Sequence, residues 1–328
     1  MSTLLVIGNG FDLALGYDTS YSHFANTVLG SVKHGFWPFN SPDNSQFQSE
    51  TLHQHFYNYF ISQKNDDGSV RWLDLETELY NYAKSKIGTS ISQELVNKDF
   101  SDFQILVKSL HTYLIRHQEL KYHYVPPKGE DACVIELLKA LSKDKTFKKA
   151  YTFNYTNLEE YLIKYGEFED KNIPHISYVH GRLQSSSIKD PHIVLGINTD
   201  ISLPNEYSFL QKINNPYADA EDLAKDLMEA DEIIFYGLSM GIVDFEYFLT
   251  FFRNIVNAPF SLPKKHITIF TRGANNVSSI IRHISEMGVS PRELKEHAHF
   301  NIIDTADIVN TNNENGSPFN KLISRLTS

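Results

Sequence analysis

The sequence predicts a doubly wound α/β fold: a mainly parallel sheet covered by helices on both faces, with a large helical insertion after the first strand. Three observations carry this. The chain opens on Leu4-Leu5-Val6-Ile7, an apolar run too short for a helix core and without polar alternation, which reads as a strand buried on both faces. Comparable runs return at Ala150 to Phe153, Ile176 to Val179, Ile193 to Leu195, Ile233 to Tyr236 and His266 to Thr271, with helical stretches between most of them. Each run leads into a polar residue or a glycine, namely Gly8, Asn154, His180, Gly196, Gly237 and, after Arg272, Gly273. Ligands of open parallel sheets bind outside the carboxyl ends of the strands, so these residues mark one candidate rim.

The first strand runs straight into Gly8-Asn9-Gly10-Phe11-Asp12. Glycines let a backbone tighten and approach a ligand, and a following helix start offers free N–H groups to an anion, so the turn is a candidate phosphate cradle. The third glycine of the usual dinucleotide fingerprint is missing, and a plain strand-to-helix turn explains the motif as well. Gly16 to Ser20 reads as a loop, with Ser20 placed to cap a helix through Phe24 and Val28. Residues 35 to 47 have the composition of a surface loop.

Helical periodicity then dominates to about residue 143. Leu75, Leu79 and Tyr82 recur at helix spacing, as do Phe100, Phe103, Val107, Leu110 and Leu114. Pro126-Pro127 breaks the pattern before a further helix around Glu136 to Leu141. Residues 35–144 are therefore expected to form a helical insertion subdomain, a lid or a wall, on a nucleotide-binding core of residues 1–34 and 145–328. Asp304 to Ser317 reads as a loop, and the final residues as a short helix.

Composition narrows the function. Forty acidic against thirty basic residues give a formal charge of −10, which disfavours a broad nucleic-acid surface. The single cysteine, Cys133, can make neither an intramolecular disulfide nor a cysteine zinc cluster, and its apolar neighbours place it in a core; a reducing cytoplasm fits. The N-terminus lacks the marks of a signal peptide, and the apolar stretch from Ile233 to Phe252 is split by glycines and carries Asp244 and Glu246, so no membrane span is expected. His53 and His55 have strand spacing in a helical-looking stretch, so no metal is expected.

Four segments can carry chemistry. Asn154 ends a strand, where a carboxamide can orient a water or a ribose hydroxyl, or simply serve a turn; Asn157 is a candidate helix cap. His180-Gly181-Arg182 ends another, where a histidine titrates near neutrality or plays a structural part. Gly237-Leu238-Ser239-Met240-Gly241 matches Gly-x-Ser-x-Gly, the spacing of a hydrolase nucleophile elbow, but the downstream histidines His266, His283, His297 and His299 include no obvious late triad member. Finally, Trp72-Leu73-Asp74-Leu75-Glu76 sets Glu76 on the margin of an apolar helix face, suited to a solvated edge or to a ligand hydroxyl.

Ile7 to Leu13, then Gly16, Thr19-Ser20-Tyr21 and Phe24, resemble the opening signature of the bacteriophage abortive-infection AbiH family. Trp72-x-Asp74-x-Glu76, Phe153-Asn154-Tyr155-Thr156, His180-Gly181 and the Gly-x-Ser-x-Gly-x-x-Asp segment fall in the order that family shows, so the likeness runs from residue 4 to about 250. A histidine is common there where this chain has Leu238. The family in turn is similar to the sirtuin-like NAD-binding superfamily, which implies a Rossmann-like, sirtuin-like core. Matched residue by residue, Gly8 and Gly10 fall on the glycine-rich turn, Asn154 on the asparagine at the nicotinamide ribose, and His180 on the catalytic histidine. Thr156 replaces an aspartate, and with one cysteine the chain lacks the zinc module of protein deacetylases.

The resemblance implies a phage-defence effector that cleaves the nicotinamide–ribose bond of NAD+. Gly8, Asn9, Gly10 and Phe11 would face the pyrophosphate, Asn154 and Thr156 the nicotinamide ribose, and His180 would act as base. Asp12 would stabilise the oxocarbenium-like sugar, with Gly237, Ser239 and Asp244 as further ligand contacts. The partners implied are NAD+ or a related nucleotide and a phage trigger, with room for a homo-oligomer. The alternative is a non-catalytic NAD or ADP-ribose sensor, or a protein-interaction module; nuclease action has little support without a tight acidic cluster.

Overall fold

In a computed structural model, residues 2–24, 75–120, 132–184, 192–198, 203–241, 244–308 and 316–328 are described. Trp72, Asp74, His53, His55, the loop at 35–47 and Pro126-Pro127 lie outside them. The chain forms two compact units, one of Met1–Tyr17, Tyr122–Arg182 and Asp219–Ser328, the other of Asp18–Lys121 and Leu183–Ala218.

The first unit is built on a six-stranded sheet of β1 (Thr3–Ile7), β2 (Phe147–Thr152), β3 (His175–Tyr178), β4 (Glu232–Tyr236), β5 (His266–Thr271) and β6 (His299–Asp304). All neighbours are parallel, in the order β3-β2-β1-β4-β5-β6, a Rossmann-like doubly wound arrangement. The order reverses between β1 and β4, so the topological switch point lies where those two strands end. Ile7 pairs with Thr152 on one side and with Tyr236 on the other.

Helices among the described residues are α1 (Asn9–Ala14), α2 (Leu75–Lys84), α3 (Gln93–Leu120), α4 (Ala132–Leu141), α5 (Leu158–Gly166), α6 (Leu223–Glu229), α7 (Phe245–Asn257), α8 (Ala274–Glu286), α9 (Pro291–His297) and α10 (Pro318–Leu326). None is long and apolar enough to cross a membrane. Alternate residues of β1 feed two cores, as a strand of period two must. Leu5 and Ile7 pack with Phe11 of α1, with α4 and α5, and with Phe319 and Leu322 of α10. Leu4 and Val6 pack with α6, α7, α8 and α9. The expectation of a first strand buried on both faces is met.

Three local readings differ from the structure. The helix expected near 136–141 is α4, but it belongs to the sheet's core, with Cys133, Val134, Leu137, Leu138 and Leu141 buried against β1 and α5. Ile193 to Leu195 adds no strand to the sheet; it lies in the second unit, where Ile197 makes an isolated bridge to Gln211. Strand β6 escaped notice because it is an edge strand whose polar His299, Asn301 and Asp304 interrupt the apolar pattern.

In the second unit, α2 buries Leu75, Leu79 and Tyr82, the residues at helix spacing. Two polar contacts tie its chain segments together. Glu76 forms a buried ion pair with Lys212 at 2.7 Å, so this carboxylate serves the unit's interior. Asp99 of α3, itself fully buried, accepts hydrogen bonds from the Tyr82 and Tyr207 hydroxyls at 2.6 and 2.5 Å.

At the start of the sheet, the His266 ring stacks on His299 with centroids 4.4 Å apart. Burial, helped by the charges of Arg325 and His299, lowers its pKa from 6.5 to about 4. The unfolded chain therefore binds more protons in that interval, so the contribution of His266 is present above about 6.5 and is lost as pH falls towards about 4. Urea unfolding midpoints are expected to fall across this window, and His266→Gln is expected to flatten the decline.

Candidate active site at the switch point

At the end of β1 the Gly8 N–H donates to the Tyr236 carbonyl at 2.9 Å and the Gly10 N–H to the Gly237 carbonyl at 3.0 Å. The Phe11 N–H turns back to the Gly8 carbonyl at 2.9 Å. These amides, the expected lining of a phosphate cradle, are thus engaged by the protein itself. Steric demand explains the glycines equally well. A Cβ on Gly10 would lie 2.6 Å from the Gly237 Cα, and one on Gly8 would lie 2.8 Å from the Leu238 side chain. Gly237 has φ +68°, and its Cβ would come within 2.4 Å of the Phe11 nitrogen. The two turns cross at backbone contact, with Leu238 buried over Gly8. Phe11 contributes a core ring, fully buried and edge-on to Tyr236 at 5.5 Å. Asn9 remains exposed beside it.

One turn into α1, Asp12 is 1% exposed. One carboxylate oxygen accepts from Asn154 Nδ2 at 2.8 Å and the other from the Thr156 hydroxyl at 2.7 Å. Asn154 Nδ2 gives its second hydrogen to the Gly8 carbonyl at 3.0 Å, and the Thr152 hydroxyl accepts from the Asn154 backbone N–H at 3.0 Å. The end of β2 is in this way fastened to the turn after β1. The Asn154 side chain keeps Oδ1, which accepts no hydrogen bond from the described residues. Beneath Asp12, the Tyr161 and Tyr17 rings pack tilted against each other at 4.8 Å, and the Tyr17 and Tyr165 hydroxyls meet at 3.2 Å. Burial first, and the Asp12 charge second, push the Tyr161 phenol well above its ordinary pKa, so it stays neutral.

His180 follows β3 and is 4% exposed. Its ring packs edge-on to Phe153 at 5.3 Å, with Tyr155 and Tyr247 each at 6.4 Å. The histidine therefore touches both aromatic residues that flank Asn154. Nearby, the Tyr178 hydroxyl donates to Glu159 and accepts the Leu158 N–H, while Arg182 pairs with Glu159 at 3.2 Å.

Across the switch point, Ser239 is exposed after β4. Its hydroxyl accepts from the Gly241 N–H at 3.3 Å, and its carbonyl accepts from His283 Nδ1 at 2.8 Å. The neighbouring imidazole thus holds the Ser239 backbone, and among the described residues no base is hydrogen-bonded to the hydroxyl as a hydrolase elbow would need. Asp244 stands at the N-cap of α7, and its N–H donates to the Gly241 carbonyl at 2.9 Å.

Asp12, Asn154, Thr156, Gly8, Gly10, Phe11 and Gly237 are brought into one connected constellation, with His180 packed alongside through Phe153 and Tyr155. Sequence reasoning missed the tyrosines under Asp12 and the Tyr247 ring against His180. Their signal was positional: Tyr161 and Tyr165 lie one turn apart on α5 after Asn157, and Tyr247 falls three residues past Asp244.

Residues 4–262 match the family model described as bacteriophage abortive infection AbiH, a span that contains every residue of this constellation. The chain belongs to the AbiH family. Membership implies a role in abortive infection by bacteriophage. The matched span of this AbiH chain ends before β5. No curated protein matches the sequence.

Asp12→Ala is expected to cost about 2–4 kcal/mol in urea unfolding, because it strands the Asn154 and Thr156 donors in a buried place. Gly237→Ala is expected to destabilise by about 2–4 kcal/mol through backbone overlap at positive φ, measured in the same way.

Proposed function

We propose that this AbiH protein is a phage-defence effector that hydrolyses the nicotinamide–ribose bond of NAD+ at the rim made by the ends of β1, β2 and β3. The observation that carries the reading is the Asn154 carboxamide, pinned by Asp12 and Gly8 with Oδ1 unspent, beside the switch point of a Rossmann-like sheet. A fixed acceptor in that place suits a ribose hydroxyl or an attacking water. His180, packed on the residues either side of Asn154, takes the proton that the water gives up as its oxygen bonds to the anomeric carbon. Nicotinamide leaves as a neutral base with the bonding electrons, and the products are nicotinamide, ADP-ribose and a proton.

In this reading Asp12 acts through Asn154 as a positioning residue, since both its oxygens are occupied. The Gly8 and Gly10 amides are spent on the Tyr236 and Gly237 carbonyls, so the exposed Asn9 and Ser239 are the groups for the pyrophosphate, and Asp244 for a ribose hydroxyl. The reaction as written needs no metal. Purified protein incubated with NAD+ is expected to release nicotinamide, and His180→Ala and Asn154→Ala to lower that rate by about 10² to 10⁴. Release that both variants leave unchanged would sink the assignment.

A second reading, a non-catalytic NAD or ADP-ribose sensor, draws on the engagement of the Gly8 and Gly10 amides by β4. Calorimetric binding of NAD+ without nicotinamide release, even with phage components present, would decide in its favour.

A further inference from the structure

The second unit holds a cavity of about 490 Å³ lined by side chains from α3, from residues 193–195 and from residues 209–217. That volume is in the range of small-molecule sites. Its apolar wall carries three phenylalanines beside Val107, Ile193, Leu195 and Pro216. Phe100 and Phe103, about one turn apart on α3, both meet the Phe209 ring, edge-on at 5.1 Å and tilted at 5.5 Å. Phe100 is 42% exposed, an apolar face left open to water.

The polar wall includes four carboxamides, Gln104, Gln211, Asn214 and Asn215, with Lys108 and Tyr217 beside them. Asn214 spends both amide hydrogens, on the Ser208 carbonyl and on Gln211 Oε1, and Asn215 Oδ1 accepts the Tyr217 N–H. Among the described residues this leaves Asn214 Oδ1 as an acceptor, the Gln211 and Asn215 amide nitrogens as donors, and both ends of Gln104 without a hydrogen bond. Adjacent donors and acceptors, partly fixed by their own contacts, match the edge of a nucleobase, which presents both kinds of group in one plane. Charge adds a third feature. Lys108 lines the cavity and no carboxylate does, although acidic residues outnumber basic ones by 40 to 30 in the chain.

We propose that this cavity binds a nucleotide, with the base against Phe100, Phe103 and Phe209, its edge on the carboxamides, and a phosphate on Lys108. Base–aromatic stacking tolerates any base, whereas the carboxamide wall selects among them.

The test is isothermal titration calorimetry of the full chain with AMP, GMP, CMP and UMP in turn, and with ribose 5-phosphate as the base-less control. At least one nucleotide is expected to bind in the micromolar range, with ribose 5-phosphate at least about tenfold weaker. Phe100→Ala alters an exposed side chain and Lys108→Glu a half-buried one, and thermal unfolding checks that both variants fold. Each is expected to weaken binding about tenfold or more, while His180→Ala leaves it intact. Absence of binding up to millimolar nucleotide would overturn the proposal. So would binding that both cavity variants leave unchanged, or that His180→Ala removes, since the nucleotide would then sit elsewhere.

Discussion

The first unit depends on one close approach, the crossing of Gly10 and Gly237 where the sheet reverses direction. Neither turn has room for a side chain at the contact, and the hydrogen bonds from Gly8 and Gly10 carry the β1–β4 pairing beyond the last strand residues. The ends of the two central strands are therefore coupled by direct backbone contact and backbone hydrogen bonds. Because α1 starts inside this contact, the place of Asp12 follows from it, and through Asp12 the places of Asn154 and Thr156.

A carboxylate removed from water carries a large desolvation cost unless donors surround it. Asp12 meets that condition with two side-chain donors reaching in from the segment after β2. The arrangement spans residues 142 and 144 positions apart in the chain, so it specifies how the first two strands end relative to each other. Its worth lies as much in that specificity as in stability, since an apolar contact at the same point would leave the carboxamide held by the Gly8 carbonyl alone.

The central strands were legible because burial on both faces leaves an unbroken apolar run, as in Leu4 to Ile7 and Ile233 to Tyr236. His266 to Thr271 was read with the bounds the structure shows. Where burial is one-sided the pattern thins, which is why the edge strand β6 was overlooked. Ile193 to Leu195 failed for the opposite reason: an apolar triplet buried in a second core looks the same as one buried in a sheet. Helix α4 was seen as a helix but assigned to the wrong body, since periodicity reports a buried face and not what covers it. At the site, Gly8, Gly10, Asp12, Asn154 and Gly237 were all singled out from sequence, as groups for a ligand. Spacing along the chain could not reveal that they are first one another's partners.

The second unit is discontinuous, taken from Asp18–Lys121 and Leu183–Ala218, and its buried contacts join the two pieces, Glu76 to Lys212 and Asp99 to Tyr207. During synthesis the acidic members emerge more than a hundred residues before the groups that satisfy them. The whole of β2 and β3 is made in the interval. A nascent chain stopped at the end of α3 would thus hold two carboxylates designed for an interior without the lysine or the second tyrosine that make the interior tenable. The unit can close only after β1, β2 and β3 have been made, so the order of translation places synthesis of the first unit's early strands ahead of the second unit's core.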